Sequence, residues 1–176
     1  MTLQRHYDPM EGIYVPPSAD LSGASGAWIR QIAGKSYHLA YFQADPTGTN
    51  FSDEAIAGAR DLFEKQIIAQ NLVAAELNGE GGNYRTQYST NFTNLRGRGY
   101  AINNMRVICE AAGKICLDFT GSNYSSIDQI FVLGSGTSIP HSGIVYGRID
   151  DGGGVPYPIA EQNEIGTVNV YGTCIS

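Results

Sequence analysis

The sequence predicts a mainly β chain. It would form the first rungs of a right-handed parallel β-helix, behind an N-terminal capping helix and an extended N-terminal arm. Three observations predict this. First, Ala101-Ile-Asn-Asn-Met-Arg-Val-Ile-Cys109 aligns with Ser126-Ile-Asp-Gln-Ile-Phe-Val-Leu-Gly134 at a shift of about 25 residues, a solenoid-like period. Ile102 falls over Ile127, Met105 over Ile130, Val107 over Val132 and Ile108 over Leu133, and a third copy puts Ile165, Val168 and Val170 in the same columns. Second, Met105, Val107, Ile130, Val132, Val168 and Val170 alternate with Asn104, Arg106, Gln129, Phe131, Thr167 and Asn169. That is strand periodicity with one buried face. Third, 22 glycines and 11 tyrosines favour strands joined by tight turns. The competing architecture is a β-sandwich whose internal similarity is accidental.

Residues 1–26 read as an arm, because Pro9, Pro16 and Pro17 forbid a regular helix and Leu21-Ser-Gly-Ala-Ser-Gly26 is a flexible joint. Such an arm buries little alone and is expected to be disordered or to pack on a partner, with Ile13, Tyr14 and Val15 as the contacts. Residues 27–100 form the entry and capping segment. Trp28 is expected in the core, although its place beside the arm also makes it an attachment candidate. Residues 37–42 read as a strand and 45–48 as a turn. A helix is expected over about 52–70: Ser52 suits the N-cap, Asp53 and Glu54 suit the positive helix end, and Ile56, Ala59, Phe63 and Ile67 recur at helical spacing. It would cover the open end of the first rung with Ile56, Phe63 and Ile67. A short strand over 72–77, or a continued helix there, since Leu72, Ala74 and Ala75 allow either, is followed by a glycine turn over 79–82 and a strand over 83–88. Leu95-Arg-Gly-Arg-Gly99 leads into the repeats, and with no helix after it a phosphate loop is disfavoured.

Residues 101–176 hold the rungs. Residues 113–121 give each rung a second strand, with Ile115, Leu117 and Phe119 on one face, and residues 142–149 repeat it one rung later. Residues 150–158, rich in Gly and Pro, are a surface insertion. So few rungs leave strand edges and core open at one end. The chain is therefore expected to be truncated, a fragment of a longer protein, or to have its last rung covered by another chain.

Charge is sparse and the net charge is −6, so neither nucleic acid nor an anionic membrane surface is an expected partner. No apolar run is long enough to span a bilayer, and Met-Thr-Leu-Gln-Arg-His lacks a signal-peptide core, so synthesis in the cytoplasm is expected. Cys109, Cys116 and Cys174 are odd in number and lack CxxC spacing, so free, partly buried thiols are expected, with no metal site and no cofactor.

Ile115-Cys-Leu-Asp-Phe-Thr-Gly-Ser-Asn-Tyr124, Ile127-Asp-Gln-Ile-Phe-Val-Leu-Gly134 and Gly143-Ile-Val-Tyr-Gly-Arg148 together resemble the pectate-lyase-like β-helix of bacteriophage tailspikes. Ser25-Gly-Ala-Trp-Ile-Arg30 resembles the joint between virion-binding part and β-helix, and residues 41–56 resemble the family's entry motif and capping helix. Gly82-Asn-Tyr-Arg85 and Leu95-Arg-Gly-Arg-Gly99 stand where the family has a Gly-x-Tyr strand and a Gly-x-Gly turn. The likeness covers about residues 25–176; Gln43 and Pro46 depart from the entry pattern. The resemblance implies a homotrimeric virion component of the phage tail, held to a tail or baseplate protein by its arm. It also implies a β-helix that binds, and in many members depolymerises, host surface polysaccharide.

Polysaccharide hydrolysis needs two carboxylates about 5–10 Å apart across the bond. Asp118, Asp128, Asp150, Asp151, Glu161 and Glu164 form no obvious pair, and His6, His38 and His141 are scattered, so a complete active site is not expected. Asp128 and Glu164 fall at rung turns, where acids cap backbone amides. The alternatives to a tailspike are a bacterial carbohydrate-active enzyme of the same fold and a purely structural trimeric fibre segment. Phe131 shares a column with Arg106 and Asn169, so it is expected to point out of the coil and to meet a neighbouring subunit.

Overall fold

A computed structural model describes residues 10, 12–15, 28–30, 36–70, 76–92, 96–135, 142–145 and 164–172; residues 14, 29, 63–70, 96–100 and 123–125 are described by backbone alone. The described chain is mainly β, with parallel pairing everywhere except one short antiparallel pair.

That pair joins the arm to the start of the entry segment. β1 (Tyr14–Val15) runs antiparallel to β2 (Trp28–Ile29), and the Arg30 amide donates to the Ile13 carbonyl at 2.8 Å. Ile13 is buried in the chain's own core. The Arg30 Nε donates to the Gly12 carbonyl and the Gln43 amide side chain to the Met10 carbonyl, while the Gly12 backbone lies against the Phe42 ring. This part of the arm therefore docks on its own domain. That corrects the expectation that it is disordered or rests only on a partner: Ile13 supplies the apolar anchor, and the absence of a Cβ at Gly12 permits the approach.

Next come β3 (Ser36–His38), a short 3-10 helix (Leu39–Phe42), β4 (Thr47–Phe51) and α1 (Asp53–Gln70). The expected strand over 37–42 becomes 3-10 helix after His38. Gln43 takes the left-handed conformation there and donates its amide to the Ala40 carbonyl, which turns the chain. The turn at 45–48 is present, closed by the Gly48 amide on the Asp45 carbonyl. α1 matches the expected helix. Ala55, Ile56, Ala59 and Leu62 form its buried stripe, and it packs against the 3-10 helix and β5 (Glu76–Asn78). Ile56 is thus inside as expected; the side chains of Phe63 and Ile67 lie outside the described residues.

β5, β6 (Asn83–Thr86), β8 (Arg96–Cys109) and β10 (Asn123–Gly134) then stack in parallel, and β12 (Glu164–Ile165) and β13 (Val168–Tyr171) continue the stack. The register is the one the sequence columns give. Ile127 pairs with Ile102, Ile130 with Met105, Val132 with Val107 and Leu133 with Ile108. Ile165 pairs with Ile127, Val168 with Ile130 and Val170 with Val132. The columns also extend backwards, through Leu77 to Tyr37 and from Val107 to Tyr84. A second sheet runs beside the first: β7 (Thr90–Asn91), β9 (Ile115–Asp118) and β11 (Ser142–Val145) pair in parallel. Arg96–Gly99 lies within β8, so the expected Gly-x-Gly turn is strand.

One bend recurs. Asn104 and Gln129 have φ of 53° and 52° and fall at the same place in neighbouring layers, between the Asn103↔Asp128 and Met105↔Ile130 pairs. A left-handed residue reverses the in–out parity of a strand. Ile102 and Met105, three residues apart, therefore both point inward, as do Ile127 and Ile130.

The core lies between the sheets. Phe92 and Phe119 stack there with ring centroids 5.1 Å apart, and the buried Ser122 hydroxyl donates to the Phe92 carbonyl at 2.7 Å. In β9 both Cys116 and Leu117 are buried, whereas Ile115 is half-buried. The expected face of Ile115, Leu117 and Phe119 is corrected in that one member. Cys116 turns inward because its sulfur is bonded to that of Cys109, at a Cα–Cα separation of 5.9 Å. This disulfide corrects the expectation of free thiols. A turn carries the chain from the end of β8 into the neighbouring sheet, where Cys109 and Cys116 are both buried and their sulfurs meet. Cys174 and the insertion at 150–158 lie outside the described residues.

Candidate functional site

The outward face of the larger sheet carries two columns of side chains. One contains Asn83, Arg106, Phe131 and Asn169; the other contains Phe51, Arg85, Ile108, Leu133 and Tyr171. Strands stacked in register put equivalent side chains within reach of one another. The Arg106 guanidinium lies 4.6 Å from the Phe131 ring centroid, and the Tyr171 ring stacks on Phe131 at 5.1 Å and 25°. β8 and β13 flank β10 on opposite sides, so the chain's own Arg106 and Tyr171 cover Phe131 from both directions. Phe131 points outward, as its column requires, but it is half-buried and not bare. Nearby Tyr171 is 54 % exposed and Leu133 36 % exposed, and they extend the apolar surface.

At the other end of this face, the Arg85 guanidinium stacks over Phe51 at 4.4 Å. It also grips Glu110 through two hydrogen bonds, Nε to Oε1 at 2.7 Å and Nη2 to Oε2 at 3.1 Å. Glu110 raises the Arg85 pKa, first through these hydrogen bonds and then through its charge. A bidentate pair of this kind fixes both side chains, so the cation is held in place over the ring. The result is a strip of rings and guanidinium groups crossing the strands, suited to stacking contacts.

Sequence reasoning singled out Phe131 and missed Arg106, Tyr171 and Arg85. The columns held the signal for Arg106, which falls over Phe131 directly. Tyr171 belongs to the neighbouring column and reaches Phe131 diagonally, which a column alignment does not show.

The arm candidates separate. Ile13 is buried, so it is not an accessible attachment contact. Val15 is half-buried, and Tyr14 is placed by its backbone in β1. Trp28 is 72 % exposed, which corrects the expected core position: in a two-stranded ribbon its ring has no second layer to enter.

The acids are occupied with the backbone. Asp128 Oδ1 accepts the Thr167 amide at 2.7 Å and the Gln129 amide at 2.8 Å, and these bonds lower its pKa. It holds backbone amides, as expected, but at the bend within β10 and not at a turn. Asp118 accepts the Thr120 amide, and Asp53 accepts the Gln87 and Tyr88 amides. Asp45 accepts the Thr47 hydroxyl together with the Asn50 and Thr47 amides, which hold its carboxyl far below the usual range. Glu164 is exposed, while Asp150, Asp151, Glu161 and His141 lie outside the described residues. His38 pairs with Glu80 and stacks on Tyr41. Among the described residues, no three His, Cys, Asp or Glu side chains gather as a metal-binding group, and no helix is long and apolar enough to cross a membrane. The chain matches no family model, and neither a curated protein nor a solved structure matches it.

Proposed function

We propose that this chain is the entry portion of a bacteriophage tailspike or tail fibre. In this reading the stacked sheets are the first rungs of a right-handed parallel β-helix, capped by α1, in a homotrimer whose shaft recognises host surface polysaccharide. The observation that carries the reading is the register: equivalent residues pair in parallel from layer to layer, about 25 apart from β5 through β8 to β10 and further apart in the flanking layers, with one helix packed where the layers begin. A stack of this kind is rigid and sets its outward side chains at a regular spacing, which suits a polymer of repeated sugars. Trp28, exposed next to the docked arm, is the attachment contact toward a tail or baseplate protein, with Val15 and Tyr14 beside it. The strip around Phe131 meets the sister subunit through the ring edge and through Tyr171 and Leu133, because Arg106 and Tyr171 already occupy the Phe131 faces.

The carboxylates Asp45, Asp53, Asp118 and Asp128 each accept backbone amides. That favours a recognising or structural role for these residues over the alternative of a carbohydrate-active enzyme. Native mass measurement at micromolar concentration, with purified bacterial O-antigens and capsular polysaccharides in parallel binding assays, tests the proposal. A trimer that binds one of these polymers is expected, and Phe131→Asp should shift it toward monomer. A monomeric parent with no affinity for any of them overturns it.

A further inference from the structure

We infer that the groove between α1 and segment 87–91 is a binding site for a neutral oligosaccharide. The assignment rests on the polysaccharide reading above but names a site outside the Phe131 strip, beside α1, which shares Phe51 with the end of the sheet face. The groove measures about 760 Å³, within the range of small-ligand sites. Phe51 and Tyr88 supply exposed rings, at 43 % and 65 %. From α1, Glu54 and Ala57 line the opposite wall, and Gln87 and Ser89 line the side of segment 87–91. Ala57 is small and exposed, so the helix wall leaves room beside it.

These groups match the two needs of a sugar. Its C–H face packs on an aromatic ring, and its neighbouring hydroxyls need acceptors and donors at fixed spacing. The groove is also held in shape. Asp53, at the start of α1, accepts the Tyr88 amide at 2.9 Å and the Gln87 amide at 3.1 Å, which ties the segment to the helix. Arg85 covers one face of Phe51, with its guanidinium 4.4 Å from the ring centroid, and so fixes the ring and leaves its other face for a ligand. Asp61 is paired with Arg60 at 2.7 Å and Asp53 is taken up by the Gln87 and Tyr88 amides, which leaves Glu54 as the acid on the helix wall that neither Arg60 nor segment 87–91 engages. A carboxylate there accepts hydroxyl hydrogens and repels an acidic sugar, so the ligand is neutral.

Saturation-transfer NMR on the full chain tests this with four neutral disaccharides (maltose, cellobiose, lactose and N,N′-diacetylchitobiose) and with digalacturonate. At least one neutral sugar should bind, digalacturonate should not, and Tyr88→Ala should weaken binding tenfold or more. Tyr88→Phe should bind as the parent does, and so should Lys114→Ala, an exposed residue away from the groove. Matching thermal melts separate lost binding from lost folding. Binding that survives Tyr88→Ala, preferred binding of digalacturonate, or no binding of any disaccharide overturns the groove assignment. Polymer binding by the parent in the same buffer is scored separately. A parent that binds polymer in spite of a failed groove leaves the polysaccharide reading standing, and a groove that binds disaccharide while no polymer binds leaves only the groove.

Discussion

Breaking the Cys109–Cys116 disulfide should destabilise the chain by an amount that its loop length sets. The bond joins residues 7 apart and therefore closes a ring of eight. Loop-closure entropy for a ring of that size is roughly 8 cal/mol/K, or about 2.5 kcal/mol at 25 °C. Both cysteines are fully buried, so reduction of the folded protein should be slow, and the cost appears when unfolding exposes the bond. With a urea m-value near ~2 kcal/mol/M, the midpoint in reducing buffer should fall by roughly 1 M at unchanged native spectrum. The double variant C109A/C116A should lose somewhat more, because two sulfurs leave the core. Thiol titration of the denatured, unreduced protein gives the direct count. The sequence holds 3 cysteines, so one reactive thiol is expected. Three reactive thiols, or a urea midpoint indifferent to reductant, would refute the reasoning.

Val132→Asp places a charge at a fully buried position and should abolish folding or cost 3 kcal/mol or more (about), whereas neighbouring Phe131→Asp, on the outward face, should leave a folded chain by circular dichroism. Gly79→Ala should cost about 1–3 kcal/mol in urea melts, since its Cβ would press on the Met105 Cβ and on the Asn104 carbonyl oxygen, a backbone atom. Gly113→Ala should cost only about 1 kcal/mol, from its left-handed φ of 63° with open space around it. The Asp128 carboxyl titrates lower in the folded chain than in the unfolded one, so its stabilisation is complete above the unfolded value of about 3.9 and is lost as pH falls through the folded one. Melting temperature followed from pH 6 to pH 2 should therefore fall less steeply for Asp128→Asn than for the parent, and identical slopes would remove Asp128 from the acid sensitivity.

The sequence by itself determined the parallel register. A stack in which one face is buried repeats its apolar residues at fixed positions, and slipping by one residue would turn every one of them to water. That is why Ile102, Ile127 and Ile165 could be aligned by eye and are aligned in space. α1 was legible for a related reason: Ile56, Ala59, Phe63 and Ile67 recur at helical spacing, while the structure adds Ala55 and Leu62 to the buried stripe. Only the tertiary structure decided the rest. The bend at Asn104 and Gln129 needs a positive φ that neither residue type demands. The Cys109–Cys116 bond depends on how the chain crosses between sheets, and Ile13 became core because Gly12 lets the arm approach Phe42. The Arg106–Phe131–Tyr171 stack and the groove beside α1 join residues from separate layers and segments. Local periodicity carries no information about such meetings, because they are set by where whole strands and turns come to lie.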